Sequence, residues 1–313
     1  MAASLAFRVV VAVRRMLYRS GMLRSVRLPV PVLVVGNITV GGSGKTPLVA
    51  ALASALARRG RRPGIVSRGY GRSSDDGGPI RVTADDDPRL TGDEPLLLAR
   101  AGYPVVVARD RVAAARMLLD WQRNCDVILA DDGLQHYRLA RSVEIAVVDA
   151  ARAFGNRALL PAGPLREPIS RLGTVDAVVV LVGEGQTPPP GLPHAHTMTF
   201  AGEIFVRVDD PLATARASAF VGENVHAVAG IGNPARFFAQ LAAMGINAIP
   251  HPFPDHHRFV PADLAIDGAR AILMTEKDAL KCEGFADDRC WSLPVRARID
   301  DALIALIEAK LHG

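Results

Sequence analysis

The sequence predicts an α/β protein: a mostly parallel sheet with helices on both faces, followed by a smaller α/β domain and preceded by an amphipathic helix. Two observations carry this expectation. Short, continuous apolar runs alternate with helical segments, as strands buried on both faces do. A glycine-rich stretch, Gly41-Gly42-Ser43-Gly44-Lys45-Thr46, follows the first such run and opens a helix, which makes the sheet P-loop NTPase-like. At 313 residues the chain has room for about two domains. With 49% hydrophobic and 22% charged residues, wholesale disorder is excluded. Cys125, Cys282 and Cys290 are widely spaced and form no C-x-x-C pair. That argues against a disulfide scaffold or cysteine zinc site and suits a reducing compartment. No run of 18 uncharged apolar residues suggests a membrane span.

Taken in order, residues 1–28 read as the basic helix, closed by Pro29-Val-Pro31. Val32–Val35 is a buried strand, Thr46–Arg59 a helix and Gly64–Ser67 a second strand. Ser73–Asp87, rich in Ser, Asp and Gly, is a loop. A helix over Asp93–Ala101, a strand over Pro104–Ala108, a helix over Asp110–Trp121 and a strand over Asp126–Ala130 continue the rhythm. Ile145–Val148 and Ala177–Val182 are further strands, and proline-rich Gln186–Pro193 marks a boundary or exposed loop. Thr197–Val208 alternates like an exposed antiparallel ribbon. The βα rhythm then resumes with Val225–Ala229, helix Pro234–Met244, strands Ala248–Pro250 and Ala271–Thr275, and helix Asp300–Leu311. The expected domains are 1–28, a P-loop unit at 29–195, a linker ribbon at 196–210 and a smaller α/β unit at 211–313.

Charge is unevenly placed. Residues 1–74 hold 13 lysines and arginines and no acid, so the other 239 residues carry a net −8 within an overall +5. A basic end on an acidic body attracts polyanions. In the first helix Arg8, Arg15 and Arg19 fall within about 40° of one another on a helical wheel, beside a broad apolar surface. That design suits an anionic membrane interface rather than nucleic acid. The bland alternative is a helix packed on its own domain.

Glycines in the loop let backbone N–H groups approach phosphate oxygens, and the helix N-terminus adds partial positive charge. Lys45 would reach the outer phosphates and Thr46 would ligate Mg²⁺, with Thr39, Val40, Gly41, Gly42, Ser43 and Gly44 cradling the phosphates of a nucleotide. Thr39 stands where the usual motif has its first glycine. Such a loop needs a metal-side carboxylate at a strand end, and Asp131-Asp132 supplies a pair that the sequence does not rank.

Gly36-Asn37 through Lys45-Thr46-Pro47, Ser67-Arg-Gly-Tyr-Gly71, Gly92-Asp-Glu-Pro95, Asp131-Asp-Gly-Leu-Gln-His136, Gly163-Pro-Leu-Arg-Glu167, Asp255-His256 and Thr275-Glu-Lys-Asp-Ala279 stand in the order of the tetraacyldisaccharide 4′-kinases, which this chain resembles from about residue 30 to residue 281. The resemblance implies transfer of the ATP γ-phosphate, with Mg²⁺, to the 4′-hydroxyl of a tetraacylated glucosamine disaccharide 1-phosphate. It implies a peripheral enzyme on the cytoplasmic face of the bacterial inner membrane. Asp93 becomes the candidate base for the 4′-hydroxyl, and the Asp-His motif assigns its partner to His256, with adjacent His257 as the ambiguity. The alternative for Asp93 is a helix N-cap. If Asp93 and His256 come from different domains, the expected active site is interdomain. Arg68, Arg72, Arg111 and Arg166 are candidate phosphate contacts, and Gln135 and Glu167 candidate substrate or supporting contacts. Glu276, Lys277 and Asp278 open a helix that the resemblance places near the nucleotide. A rival reading, a membrane-bound switch ATPase, would want a lysine where Val40 stands. A GTPase would need N-K-x-D, which is absent, and a pure anionic-lipid binder leaves the phosphate loop without purpose.

Overall fold

The computed structural model describes residues 2–69, 78–183 and 185–312. The chain divides into two compact units, 1–199 with 297–313, and 200–296.

In the first unit helix α1 (Ala2–Arg19) leads to strand β1 (Val32–Gly36), helix α2 (Lys45–Arg58), β2 (Pro63–Ser67) and β3 (Ile80–Val82). Then come α3 (Pro88–Thr91), α4 (Asp93–Arg100), β4 (Val105–Val107), α5 (Arg111–Trp121), β5 (Val127–Asp131), β6 (Val143–Asp149), β7 (Ala177–Leu181) and β8 (Ala195–Ala201). The second unit holds β9 (Ile204–Arg207), β10 (Thr214–Arg216), β11 (Val225–Ala229), α6 (Pro234–Ala243), β12 (Ile249–Pro252), β13 (Ala271–Thr275), α7 (Glu276–Cys282) and β14 (Cys290–Leu293). Strand β15 (Arg296–Ile299) and helix α8 (Asp301–His312) return to the first unit.

Among the described residues, nine strands form the first sheet in the order β15-β8-β7-β6-β1-β5-β2-β4-β3. From β8 through β4 the neighbours are parallel, and β3 closes its edge antiparallel to β4. Strands β1, β2, β5 and β7 are buried along their whole length, which is why β1, β5 and β7 read as near-continuous apolar runs. One core gathers Val32, Val34, Val66 and Ile128 against Val112, Ala115 and Leu118 of α5. Another gathers Ile38, Val148, Val178 and Val180 against Phe154, Leu159 and Leu165. The second sheet, β10-β9-β14-β13-β11-β12, is parallel from β14 to β12 and antiparallel at β9 and β10. Its two faces carry separate apolar clusters, around Phe205, Phe237 and Leu273 on one and Val228, Ile272 and Met274 on the other.

Three sequence expectations change here. The ribbon over 197–208 is not a hairpin. Strand β8 runs parallel to β7 in the first sheet, while β9 pairs with β10 and β14 in the second. Period-two alternation marks one buried face but not the pairing partner. The terminal segment 297–313 packs with the first unit, not with the smaller one. Leu303, Ile304 and Ile307 bury one face of α8. Short strand β3 lies inside the segment read as a loop. Among the described residues no helix is long and apolar enough to cross a membrane, and all three cysteines are buried free thiols.

Helix α1 packs on its own unit through one face. Ser4, Phe7, Arg15 and Tyr18 recur on one helical face. Ser4 Oγ donates to the Leu159 carbonyl at 2.8 Å, Phe7 joins the Phe154 core, Arg15 donates to Thr174 Oγ1 at 2.9 Å and the Tyr18 ring lies 5.8 Å from that of Tyr137. On the opposite face Leu5, Val9, Val13 and Met16 stay exposed, between 43% and 63%. The helix therefore packs on its own unit and still presents an open apolar stripe.

Candidate active site

The phosphate loop joins β1 to α2. Gly41 (φ 91°) and Gly44 (φ 84°) supply the two left-handed turns that L side chains rarely adopt. Asn37, fully buried at the end of β1, braces the loop: its Nδ2 donates to Ser43 Oγ at 3.0 Å and to Thr39 Oγ1 and the Gly41 carbonyl at 3.4 Å. The 163–167 segment runs alongside. Thr39 bridges Leu165 antiparallel, Val40 N–H donates to the Pro164 carbonyl at 2.8 Å and Arg166 N–H to the Ile38 carbonyl at 2.7 Å. This zipper delivers the Arg166 side chain to the end of β5.

There the two aspartates separate in role. Thr46 Oγ1 donates to Asp131 Oδ2 at 3.3 Å, and buried Asp131 Oδ1 has no hydrogen-bond partner. Burial, and then the Glu94 charge, pushes the Asp131 carboxyl up to about 7. Asp132, with φ 48°, instead faces cations: Lys45 Nζ lies 3.6 Å from Oδ1, and Arg166 Nη1 donates to both carboxylate oxygens at 3.0 Å. Burial raises Asp132, but Lys45 and Arg166 outweigh it and hold the carboxyl below its usual value. An orphaned, buried carboxylate oxygen beside a threonine hydroxyl is a hard oxygen donor set of the kind Mg²⁺ takes. Thr46 and Asp131 therefore fit the cation, while Asp132 is held by its two cations.

Arg111, first residue of α5, is buried and donates to the Asp132 carbonyl at 3.2 Å and the Arg109 carbonyl at 3.1 Å. Burial lowers its pKa to about 10, with Asp132 opposing and Arg68 adding repulsion. It remains a cation at neutral pH, and exposed Arg68 belongs to the same electrostatic neighbourhood. Arg72 lies outside the described residues. Gln135 Nε2 donates to the Asn37 carbonyl at 2.9 Å and to Glu167 Oε1 at 2.8 Å. Tyr137 Oη donates to Glu167 Oε2 at 2.6 Å, and Arg171 Nε lies 3.3 Å from that oxygen. Glu167 is thus a buried brace behind the loop rather than a group open to substrate.

Asp93 is 6% exposed and opens α4. It is not the N-cap: Gly92 takes that position, with φ 93° and ψ 147°, and Asp93 Oδ1 accepts from Glu94 N–H at 3.0 Å. In the second unit His256 follows β12 with a left-handed φ of 60°. Its neighbour His257 is committed elsewhere: Nε2 lies 2.9 Å from Asp263 Oδ2, and its ring stacks on Phe253 at 4.5 Å and meets Phe259 edge-on at 4.9 Å.

Sequence reasoning assigned no role to Arg152. A Cβ on Gly41 would come within 2.7 Å of Arg152 Nη1, so the turn after β6 lays a guanidinium against the phosphate loop. No motif signals it, since the contact is made across more than a hundred residues. Asn37 and Glu94 also gain roles, and both stand inside motifs whose other members drew the attention.

Comparison with known proteins decides the family. The family model described as tetraacyldisaccharide-1-P 4′-kinase (LpxK) matches residues 1–312. The chain belongs to this family. A tetraacyldisaccharide 4′-kinase of Azoarcus sp. (strain BH72) is 55% identical over 99% of this chain and 91% of its own length. That of Alkalilimnicola ehrlichii is 53% identical over 96% and 88%. A crystal structure of Aquifex aeolicus LpxK in complex with ATP superposes with a TM-score of 0.80 at 29% identity, covering 99% of this chain and 98% of that one. That structure shares the α/β architecture built above, and it holds ATP.

Proposed function

We propose that this chain transfers the γ-phosphate of ATP to the 4′-hydroxyl of a tetraacylated glucosamine disaccharide 1-phosphate, a step in lipid A biosynthesis. The observation that carries the reading is the joined phosphate loop and β5 end, where Lys45, Thr46, Asp131, Asp132 and Arg166 meet within a family of such kinases. Phosphoryl transfer needs positioning and charge neutralisation more than covalent chemistry. The loop N–H groups and Lys45 hold the β- and γ-phosphates, and Arg111 and Arg166 supply further positive charge. Thr46 and Asp131 would hold Mg²⁺, which would supply positive charge to offset the negative charge of the phosphates. Lys45 and Arg166 lean on Asp132 until a triphosphate competes for them.

Asp93 orients the acceptor hydroxyl and takes its proton as the new O–P bond forms and the bond to the ADP oxygen breaks. An alcohol gives up its proton late, so orientation is most of the benefit. Of the two adjacent histidines, His256 takes the catalytic role, since His257 is held by Asp263 and two phenyl rings. The acyl chains of such a lipid stay in a bilayer, and the exposed stripe Leu5, Val9, Val13 and Met16 with its flanking arginines suits docking on an anionic surface. This reading places the protein peripherally on the cytoplasmic face of the inner membrane. The test is incubation with labelled ATP, Mg²⁺ and the tetraacyldisaccharide 1-phosphate in mixed micelles. Label on the lipid, lost in Lys45→Ala, is the expected result. Folded protein that hydrolyses ATP without labelling lipid would refute it.

A further inference from the structure

One motif of the chain has no part in the site so far: Thr275-Glu276-Lys277-Asp278, at the junction of β13 and α7. Asp278 is fully buried. A buried carboxylate is costly unless several donors compensate it, and this one has three. Oδ2 accepts from Gly230 N–H at 3.0 Å and from Thr275 Oγ1 at 2.7 Å, and Lys281 Nζ lies 2.8 Å from Oδ1. Thr275 Oγ1 in turn accepts from Asp278 N–H at 3.1 Å, so the helix cap and the carboxylate lock each other.

The bond to Gly230 leads directly to the Asp-His loop. The carbonyl of that same residue accepts His256 N–H at 3.1 Å, and Phe253 N–H donates to the Ala229 carbonyl at 2.8 Å. Residue 230 has no room for a side chain: a Cβ would sit 3.0 Å from His257 Cβ and 3.3 Å from Asp278 Oδ1. A second grip comes from Lys277, whose Nζ lies 3.7 Å from Asp255 Oδ1, itself 3.8 Å from His256 Nε2. His256 carries the left-handed backbone that non-glycine residues hold only where the surroundings over-determine it.

We propose that the Thr275–Asp278 turn is the clamp that sets the backbone and ring of His256: Asp278 acts through the Gly230 peptide and Lys277 through Asp255. Both are positioning residues, not catalytic ones. This rests on the proposed role of His256, and a double-mutant cycle separates the two. His256→Ala, Asp278→Asn, Asp278→Ala and Lys277→Met are compared singly and with Asp278 or Lys277 changed in the His256→Ala background, measuring kcat and the KM for ATP. A clamp predicts a tenfold or greater fall in kcat for Asp278→Ala and a smaller one for Asp278→Asn, which keeps an oxygen for Gly230. It predicts a KM for ATP within about twofold of wild type, and little further loss once His256 is already alanine. Losses that multiply in the double variants, or a raised KM at unchanged kcat, would overturn the clamp while leaving His256 in place. An unchanged kcat in His256→Ala would overturn the underlying role and the clamp together. Should the Asp278 variants fail to fold, Lys277→Met, which removes a partly exposed ion pair, decides by the same cycle.

Discussion

Asp131 and Asp132 show how two adjacent carboxylates at one strand end acquire opposite properties. Asp132 has Lys45 and Arg166 against it and stays ionised, whereas Asp131 is buried near Glu94 with one oxygen unpartnered. An unfolded aspartate titrates near about 3.9, and folded Asp131 near about 7. The folded chain therefore binds this proton more tightly, and Asp131 lowers stability as pH rises between those two values. Mg²⁺ binds only the ionised form, so its gain should grow over the same window. The thermal shift produced by Mg²⁺ is expected to be larger at pH 8 than at pH 6 and to lose that difference in Asp131→Asn. An equal shift at both pH values would place the cation elsewhere. Gly41 makes a second residue-scale case. With φ at 91° and Arg152 against its open side, Gly41→Ala meets both strain and collision. ATP affinity is expected to fall at least tenfold by calorimetry, and Arg152→Ala should not restore it, because the backbone strain of about 1–2 kcal/mol remains. The phosphate-loop residues were legible because their chemistry is local in sequence. Arg152 was not, since nothing near it in the chain announces a contact with residue 41.

Among the elements, α1 and the segment after β5 are linked. The Tyr18 ring packs near Tyr137, and Arg14 lies 5.9 Å from the Tyr137 ring centroid. Burial, then the Glu167 charge and hydrogen bond, pushes the Tyr137 hydroxyl above its usual range, so it stays a donor to Glu167. Through Gln135 that brace reaches the Asn37 carbonyl at the foot of the phosphate loop. A hydrogen bond to a buried charge is worth about 1.5–3 kcal/mol. Tyr137→Phe is expected to lower unfolding free energy by about 2 kcal/mol in urea titration, and no change would show that Glu167 is held by Gln135 and Arg171 alone. On the outer face of α1, Val9→Asp with Val13→Asp should abolish binding to anionic vesicles and leave ATP affinity within twofold, measured by co-sedimentation and calorimetry. Retained vesicle binding would assign the membrane contact to another surface. The helix, its apolar residues and its arginines were readable from periodicity. Which face docks was not, because Ser4, Phe7 and Tyr18 find their partners more than a hundred residues away.

At the scale of the whole molecule, most strands of both sheets follow from continuous apolar runs, since parallel strands covered on two faces leave little room for polar residues. The failures share a cause. Strands β8 and β9 read as one ribbon because alternation is the same in either sheet, and the segment 297–313, whose strand β15 went unread, was assigned to the unit that precedes it in sequence. Pairing partners are set by tertiary packing, which a local pattern does not encode. The chemistry proposed for the molecule hangs on Asp93, a buried carboxylate at the first position of α4 rather than a cap. Its role is tested most directly by steady-state phosphorylation of the tetraacyldisaccharide 1-phosphate by Asp93→Asn, with ATP affinity measured on the same preparation. Removal of a proton acceptor predicts a fall in kcat of about 10²–10⁴-fold, with the ATP dissociation constant within about twofold of wild type. Turnover near that of the unaltered enzyme would contradict the assignment and leave the acceptor proton to another group.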